Sequence, residues 1–229
     1  MLDEASMTAA VQQIESESGP LGALVNNAGY SQSGAVESVS MELVRKQFET
    51  NVFGLVRLTQ LALPGMREAG SGRIINIGSM GGKLTFPGGG FYHATKYSLE
   101  AISDALRFEV DGFGVKVVLI EPGLITTEFG NRAVSGIGEL NLGDGPYAEF
   151  NSEVSATTAG AYDGPMARLG AGPDAVAKVI ERALCSGSPR PRYKITLSAR
   201  VLLAIRAVVS DRMWDRMMRG QYSSPGRSK

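Results

Sequence analysis

Three side chains in one short stretch, Ser79, Tyr92 and Lys96, have the chemistry to place a proton on a carbonyl oxygen. A serine hydroxyl can hydrogen-bond that oxygen as charge develops on it, a phenol can deliver the proton, and an ammonium eases ionisation of the phenol. Tyr92 and Lys96 stand four apart, so on a helix both point to one face. Ser79 precedes Tyr92 by thirteen residues, enough loop to let the two hydroxyls meet. Each part also has an ordinary reading. A serine after a strand is commonly a cap, and an i,i+4 Tyr/Lys pair is commonly a solvated helix surface. What separates the two readings is the company these residues keep.

The run Arg73–Gly78 reads as a buried strand that delivers Ser79 at its end. A glycine-rich loop follows, and a helical pattern opens at about Phe91 and continues to about Phe113, with Leu99, Ile102, Leu106 and Phe108 as core or interface positions. Upstream, Asp3–Glu17 reads as a helix closed by Gly19-Pro20, and Leu21–Val25 as a short strand ending in Asn26-Asn27-Ala28-Gly29. A long helical pattern covers Met41–Met66 and holds Asn51 among apolar neighbours, where a buried amide must find partners. Val115–Ile120 is a third buried strand, followed by Pro122-Gly123-Leu124-Ile125-Thr126-Thr127. NNAG and PG are by themselves plain turns. Placed at the carboxyl ends of parallel strands, they sit where open α/β sheets bind ligands.

Taken together, N-N-A-G, the Asn51 position, S-x12-Y-x3-K and P-G-x-x-x-T resemble the short-chain dehydrogenase/reductase family. The resemblance covers nearly the whole chain and is most specific over residues 26–127. It implies an α/β fold, a Rossmann-like doubly wound parallel sheet. The match starts near Asp3, and nothing like the family's T-G-x-x-x-G-x-G precedes residue 21, so the expected fold lacks the first two βα units and the third strand. The resemblance assigns Asn51, Ser79, Tyr92 and Lys96 to catalysis. It places Asn27, Ala28, Gly29, Tyr92, Lys96, Pro122, Gly123, Ile125 and Thr127 at an NAD or NADP cofactor, the choice between the two being unreadable here. In the family the helix around Asn51 is locally distorted, and the asparagine holds a proton-relay water. The phenol pKa, about 10 in free tyrosine, is expected to fall under Lys96 and the nicotinamide charge.

The chain is expected to form one domain: a core over 1–127, a substrate lid over 128–173, and a helix–strand–helix over 174–229. The lid segment is rich in glycine and weakly periodic, and its apolar residues Phe129, Ile137, Leu140, Leu142, Tyr147, Phe150, Met166 and Leu169 point to a hydrophobic substrate. Gly136, Gly138, Gly160 and Gly164 follow no strand and are poor phosphate sites. Asp174–Leu184 reads as a helix, Tyr193–Leu197 as the last strand, and Ser198–Met218 as a final helix.

Composition narrows the partners. The formal net charge is zero, so no overall field draws the chain to nucleic acid. From Arg190 onward ten basic residues face two acidic ones, which makes the tail basic and the body acidic. Arginines opposite an apolar face in the final helix suit an interfacial membrane helix or one packed on its own fold or a second subunit. Packing is the favoured reading, with Trp214 as an anchor. Cys185 is the only cysteine, which fits a reducing cytoplasm, and the opening MLDEASM lacks the apolar core of a secretory signal. No metal-ligand cluster is present in the sequence, and His93, the only histidine, is expected to face away from the site.

Two functions follow. The first is an NAD(P)-dependent oxidoreductase that interconverts a secondary alcohol and a ketone or aldehyde on a hydrophobic small molecule, working as a cytoplasmic homo-oligomer joined through the helices around Asn51 and Tyr92. The second is a cofactor-free relative acting as a binding or subunit-interaction module.

Overall fold

The computed structural model describes residues 2–138 and 145–226; Leu140 and Leu142 of the expected lid lie outside them. The order is α1 (Glu4–Ser18), β1 (Ala23–Asn26), α2 (Met41–Phe48), a π-helical turn (Glu49–Phe53), α3 (Gly54–Glu68), β2 (Gly72–Ile77), α4 (Gly90–Val110), β3 (Val115–Glu121), α5 (Glu128–Gly138), α6 (Ala148–Asp163), α7 (Pro173–Cys185), β4 (Arg192–Lys194), α8 (Leu197–Val208) and α9 (Asp211–Arg219). All strand pairs are parallel, in the spatial order β1-β2-β3-β4.

Strand alternation sorts side chains to two helical layers. Ile74 and Val117 point into one core with Leu24, Ala62 and Met66, under α3 and α4. Their neighbours Ile75 and Val118 point the opposite way, to Ala183 and the apolar face of α7. This is the doubly wound arrangement the sequence implied. A buried polar ladder ties β1 and β2 to α3 and α4: the Asn26 amide donates to Asn76 Oδ1 (2.9 Å) and Thr59 Oγ1 (3.2 Å), and the Asn76 amide donates to Ser103 Oγ (2.9 Å). Val25, in register with Ile75 on the face that carries α7, is 38% exposed at the β1 edge of the sheet.

Several expected boundaries shift. The Met41–Met66 pattern is two α-helices joined by the π turn. The lid segment, expected to be largely loop, contains α5, α6 and a 3₁₀ turn over Pro165–Leu169. The last strand has only three residues, because Thr196 turns to cap α8, accepting from Ala199 N–H at 3.1 Å. The single final helix is broken at Val209-Ser210, where Ser210 caps α9. Leu203, Trp214 and Met218 pack against Met80 and Leu84, so one face of α8–α9 does pack on its own fold. Val201, Val208, Met213 and Met217, on the other side of these helices, are exposed. Phe108 likewise lies at the surface, 89% exposed.

Candidate active site

The site is assembled at the carboxyl ends of β1, β2 and β3. β2 ends at Ile77, and Gly78 N–H donates to Ile120 C=O (2.8 Å), which keeps the chain against β3 for one more step. Ser79 is extended (φ −170°, ψ 158°), and its hydroxyl accepts from Gly81 N–H at 3.0 Å, closing a tight turn. The loop then returns to α4. His93 fastens it at two points: one ring nitrogen, Nε2, accepts from Phe86 N–H (3.2 Å), and Nδ1 lies 2.9 Å from Gly81 C=O. This pairing fixes a neutral imidazole with the proton on Nδ1, and burial lowers its pKa further. His93 is thus a loop clamp, with both ring nitrogens engaged by backbone groups.

One turn of α4 then presents Tyr92, Thr95 and Lys96. The Ser79 side chain lies near enough to the Tyr92 phenol to favour its ionised form. Lys96 is buried, donates to Ile77 C=O at 2.8 Å, and holds its Nζ 5.8 Å from the centre of the Tyr92 ring. Asn51, buried in the π turn, accepts from Tyr30 N–H (3.1 Å) and donates to Tyr30 C=O (2.9 Å) and Thr95 Oγ1 (3.1 Å). Thr95 Oγ1 in turn donates to Tyr92 C=O at 2.7 Å, which links Asn51 to the catalytic turn of α4.

The electrostatics depart from expectation at Tyr92. Its pKa is raised, not lowered: burial opposes the phenolate, the Ser79 side chain offsets part of this, and Tyr162 nearby adds to the rise. Lys96 contacts the ring face and a backbone carbonyl, so its charge does not act directly on the phenol oxygen. Burial lowers Lys96 itself to about 8.

The remaining expected residues line the same edge. Asn27, Ala28 and Gly29 are exposed after β1. A Cβ on Gly29 would approach Asn51 Oδ1 to 3.2 Å and Lys96 Nζ to 3.9 Å, which places this turn beside both. Pro122 C=O accepts from Met80 N–H (2.8 Å), joining the Ser79 loop to the loop after β3. Gly123 has no room for a side chain: a Cβ would lie 2.3 Å from Thr196 Oγ1 and 2.4 Å from Ser198 Oγ. Ile125 bridges Ala171, and Thr127 Oγ1 accepts from Phe129 N–H (3.2 Å) at the start of α5. Phe129 then stacks at 5.6 Å on Tyr92.

The donor set fits the nicotinamide ribose half of a dinucleotide. An ammonium has three N–H groups, and Ile77 takes one from Lys96. Gly29 leaves backbone rather than a side chain beside Asn51 and Lys96.

Sequence reasoning missed two features. Tyr162 on α6 reaches the phenol, but no local pattern marks it. Behind the loop, Lys83 Nζ lies 2.6 Å from the fully buried Glu121 and 3.5 Å from Glu100, and Arg192 reaches Glu100 and Asp104. A glutamate at the end of an otherwise apolar strand was the available signal. A cavity of about 870 Å³ is lined by Phe86, Tyr147, Phe150, Trp214 and Met218, and none of Ser79, Tyr92 or Lys96 lines it.

A family model described as short chain dehydrogenase matches residues 1–137. An uncharacterised oxidoreductase of Schizosaccharomyces pombe is 36% identical over 208 residues, covering 90% of this chain and 83% of its own. The NADPH-dependent 3-dehydrocapnine reductase of Ornithobacterium rhinotracheale is 36% identical over 222 residues, covering 94% and 76%. The crystal structure of a short-chain dehydrogenase from Streptomyces avermitilis superposes with a TM-score of 0.70 at 30% identity, covering 96% of this chain and 77% of that one. The chain therefore belongs to the short-chain dehydrogenase/reductase family and is an NAD(P)-dependent oxidoreductase by class. Among the described residues no helix is long and apolar enough to cross a membrane.

Proposed function

We propose that this protein interconverts a secondary alcohol and a ketone or aldehyde on a hydrophobic small molecule, with Tyr92, Ser79, Lys96 and Asn51 as its working residues. The observation that carries this reading is the convergence of Ser79, the buried Tyr92 phenol that its side chain influences, and the buried Lys96 ammonium 5.8 Å from the centre of the phenol ring. The pair offers two O–H groups to a single oxygen. Ser79 stabilises charge as it develops there, and Tyr92 supplies the proton. A phenol whose pKa is raised by burial rests protonated, which suits donation to a carbonyl oxygen. Lys96 keeps its charge at neutral pH, and its free N–H groups hold the nicotinamide ribose. The nicotinamide supplies or accepts a hydride. Asn51 fixes the Tyr30 backbone and Thr95 and orders the water that refills the proton at Lys96.

Asn27, Ala28 and Gly29 form one wall for the cofactor. Pro122, Gly123, Ile125 and Thr127 form the other, with backbone groups facing the carboxamide. Helices α5 and α6 act as the substrate lid over residues 128–173, and Phe129 and Tyr162 give it an apolar ceiling. The Ornithobacterium relative is named as NADPH-dependent and as a reductase, which supports NADPH and the reducing direction as the first to try. We place the protein in the cytoplasm as a homo-oligomer joined through the helices around Asn51 and Tyr92, where Phe53 at the end of the π turn and Phe108 on α4 stand 54% and 89% exposed.

The test has two readouts. Thermal unfolding with NADPH and NADH reports cofactor binding; an upward shift is expected with one of them. Oxidation of NADPH with long-chain and cyclic ketones reports turnover, and Tyr92→Phe is expected to reduce it by about 100-fold or more with the melting temperature preserved. Retained turnover in Tyr92→Phe removes the tyrosine from its role. No shift with either cofactor returns the chain to a cofactor-free binding module.

A further inference from the structure

We propose that α8 and α9 form a docking face for an anionic lipid surface. One face of each helix packs on the core, but the opposite face of α8 carries Leu197, Val201 and Val208, exposed by 56%, 41% and 84%. Those positions are spaced four and seven apart, with Ala204 between them, so they make one continuous apolar stripe on a helix. Arg200 sits on the same exposed face. On α9, Met213 and Met217 are 54% and 40% exposed, one turn apart, with Arg212 and Arg216 beside them. An exposed apolar stripe flanked by arginines is the composition of a helix that lies in a bilayer interface. The helices have twelve and nine residues, so they lie on the surface and do not span it.

Charge selects the occupant. The α8–α9 segment holds five arginines against Asp211 and Asp215, in a chain whose formal net charge is zero. Two copies meeting through this face by a twofold axis would bring the same positive patches together, which is unfavourable. An anionic headgroup layer is complementary, and each arginine near such a surface strengthens binding. The proposal does not depend on the redox reading, since neither helix carries a residue of the Ser79–Tyr92 site.

Flotation of the full chain with phosphatidylcholine vesicles, with and without about one-third phosphatidylserine, tests it. Co-flotation is expected with the anionic vesicles, weakened by salt and at least ~10-fold lower with phosphatidylcholine alone. Arg212→Glu/Arg216→Glu and, separately, Val201→Asp/Val208→Asp are expected to cut the bound fraction by about 10-fold, with circular dichroism and melting temperature retained because all four side chains are exposed. Two results overturn the proposal: equal recovery from both vesicle types or none from either, and a concentration-dependent dimer that Val201→Asp/Val208→Asp dissolves in the absence of lipid. The second result would assign the stripe to another copy of the chain.

Discussion

Lys96 donates to the carbonyl of Ile77 at 2.8 Å, so the ammonium on α4 is tied to the last residue of the strand that delivers Ser79. Strand end and helix are thereby fixed to each other through the charged group itself. That group is buried, and burial depresses its pKa from 10.5 to about 8. The unfolded chain therefore binds the proton more tightly than the folded one. The penalty is fully present below pH 8 and gone above pH 10.5, so this group makes stability rise as pH climbs through that window. Lys96→Met should abolish that rise and stabilise the fold at pH 7 by about 1–3 kcal/mol. Urea unfolding at pH 7 and pH 9.5 measures both effects.

Asn51→Ala should destabilise the fold by about 1–3 kcal/mol, because it removes the acceptor of Tyr30 N–H, one of the two donors to Tyr30 C=O (Gln47 is the other, at 3.2 Å) and a partner of Thr95. Asn51→Asp keeps the acceptor and loses two donated bonds, so it should fall between the wild type and Asn51→Ala. Thermal unfolding ranks the three.

Glu100 is raised to about 7, first by burial and then by the neighbouring Glu121, against the pull of Lys83 and Arg192. Here the folded state binds the proton more tightly. Its contribution is complete below the unfolded value of 4.5 and lost as pH rises through 7. Glu100→Gln should flatten the decline in stability across that interval while leaving Lys83–Glu121 in place. Denaturation midpoints at pH 5 and pH 7.5 are the measurement; an unchanged slope would clear Glu100 of this role.

Gly123→Ala should cost about 1–3 kcal/mol by overpacking, since its Cβ would sit 2.3 Å from Thr196 Oγ1 and 2.8 Å from Ala199 N. The loss should appear as separation of the post-β3 loop from the start of α8, read by faster amide exchange at Leu124, whose N–H now bonds Ser198 Oγ (3.2 Å).

The strands and α4 were legible because their signals are local. Ile74 and Ile75 alternate between two cores, and Tyr92 and Lys96 share a helical face. Asn51, Ser79, Tyr92 and Lys96 were legible only by their joint spacing. Tertiary contacts decided the rest. Helix α6 has little periodic sequence and is held by Asn151, whose amide bonds Ala35 N–H (2.7 Å) and Ser38 Oγ (3.2 Å) more than a hundred residues away. The break at Ser210 was hidden because an apolar pattern runs on both sides of it. The rise at Tyr92 was not legible because it comes first from burial of the phenol, which the spacing to Lys96 does not reveal.

The five-residue wide turn at Glu49–Phe53 amounts to one residue of surplus in an otherwise regular helix. Since each residue advances an α-helix by about 100°, deleting one here would let α2 and α3 merge into a straight rod. It would also swing Asn51 out of its pocket or turn the Ala62 and Met66 side of α3 off the sheet. The helix would gain regularity, while the molecule would lose either its core contact or the amide that grips Tyr30. At this point in the chain, local irregularity is what allows one continuous rod to serve two differently oriented surfaces.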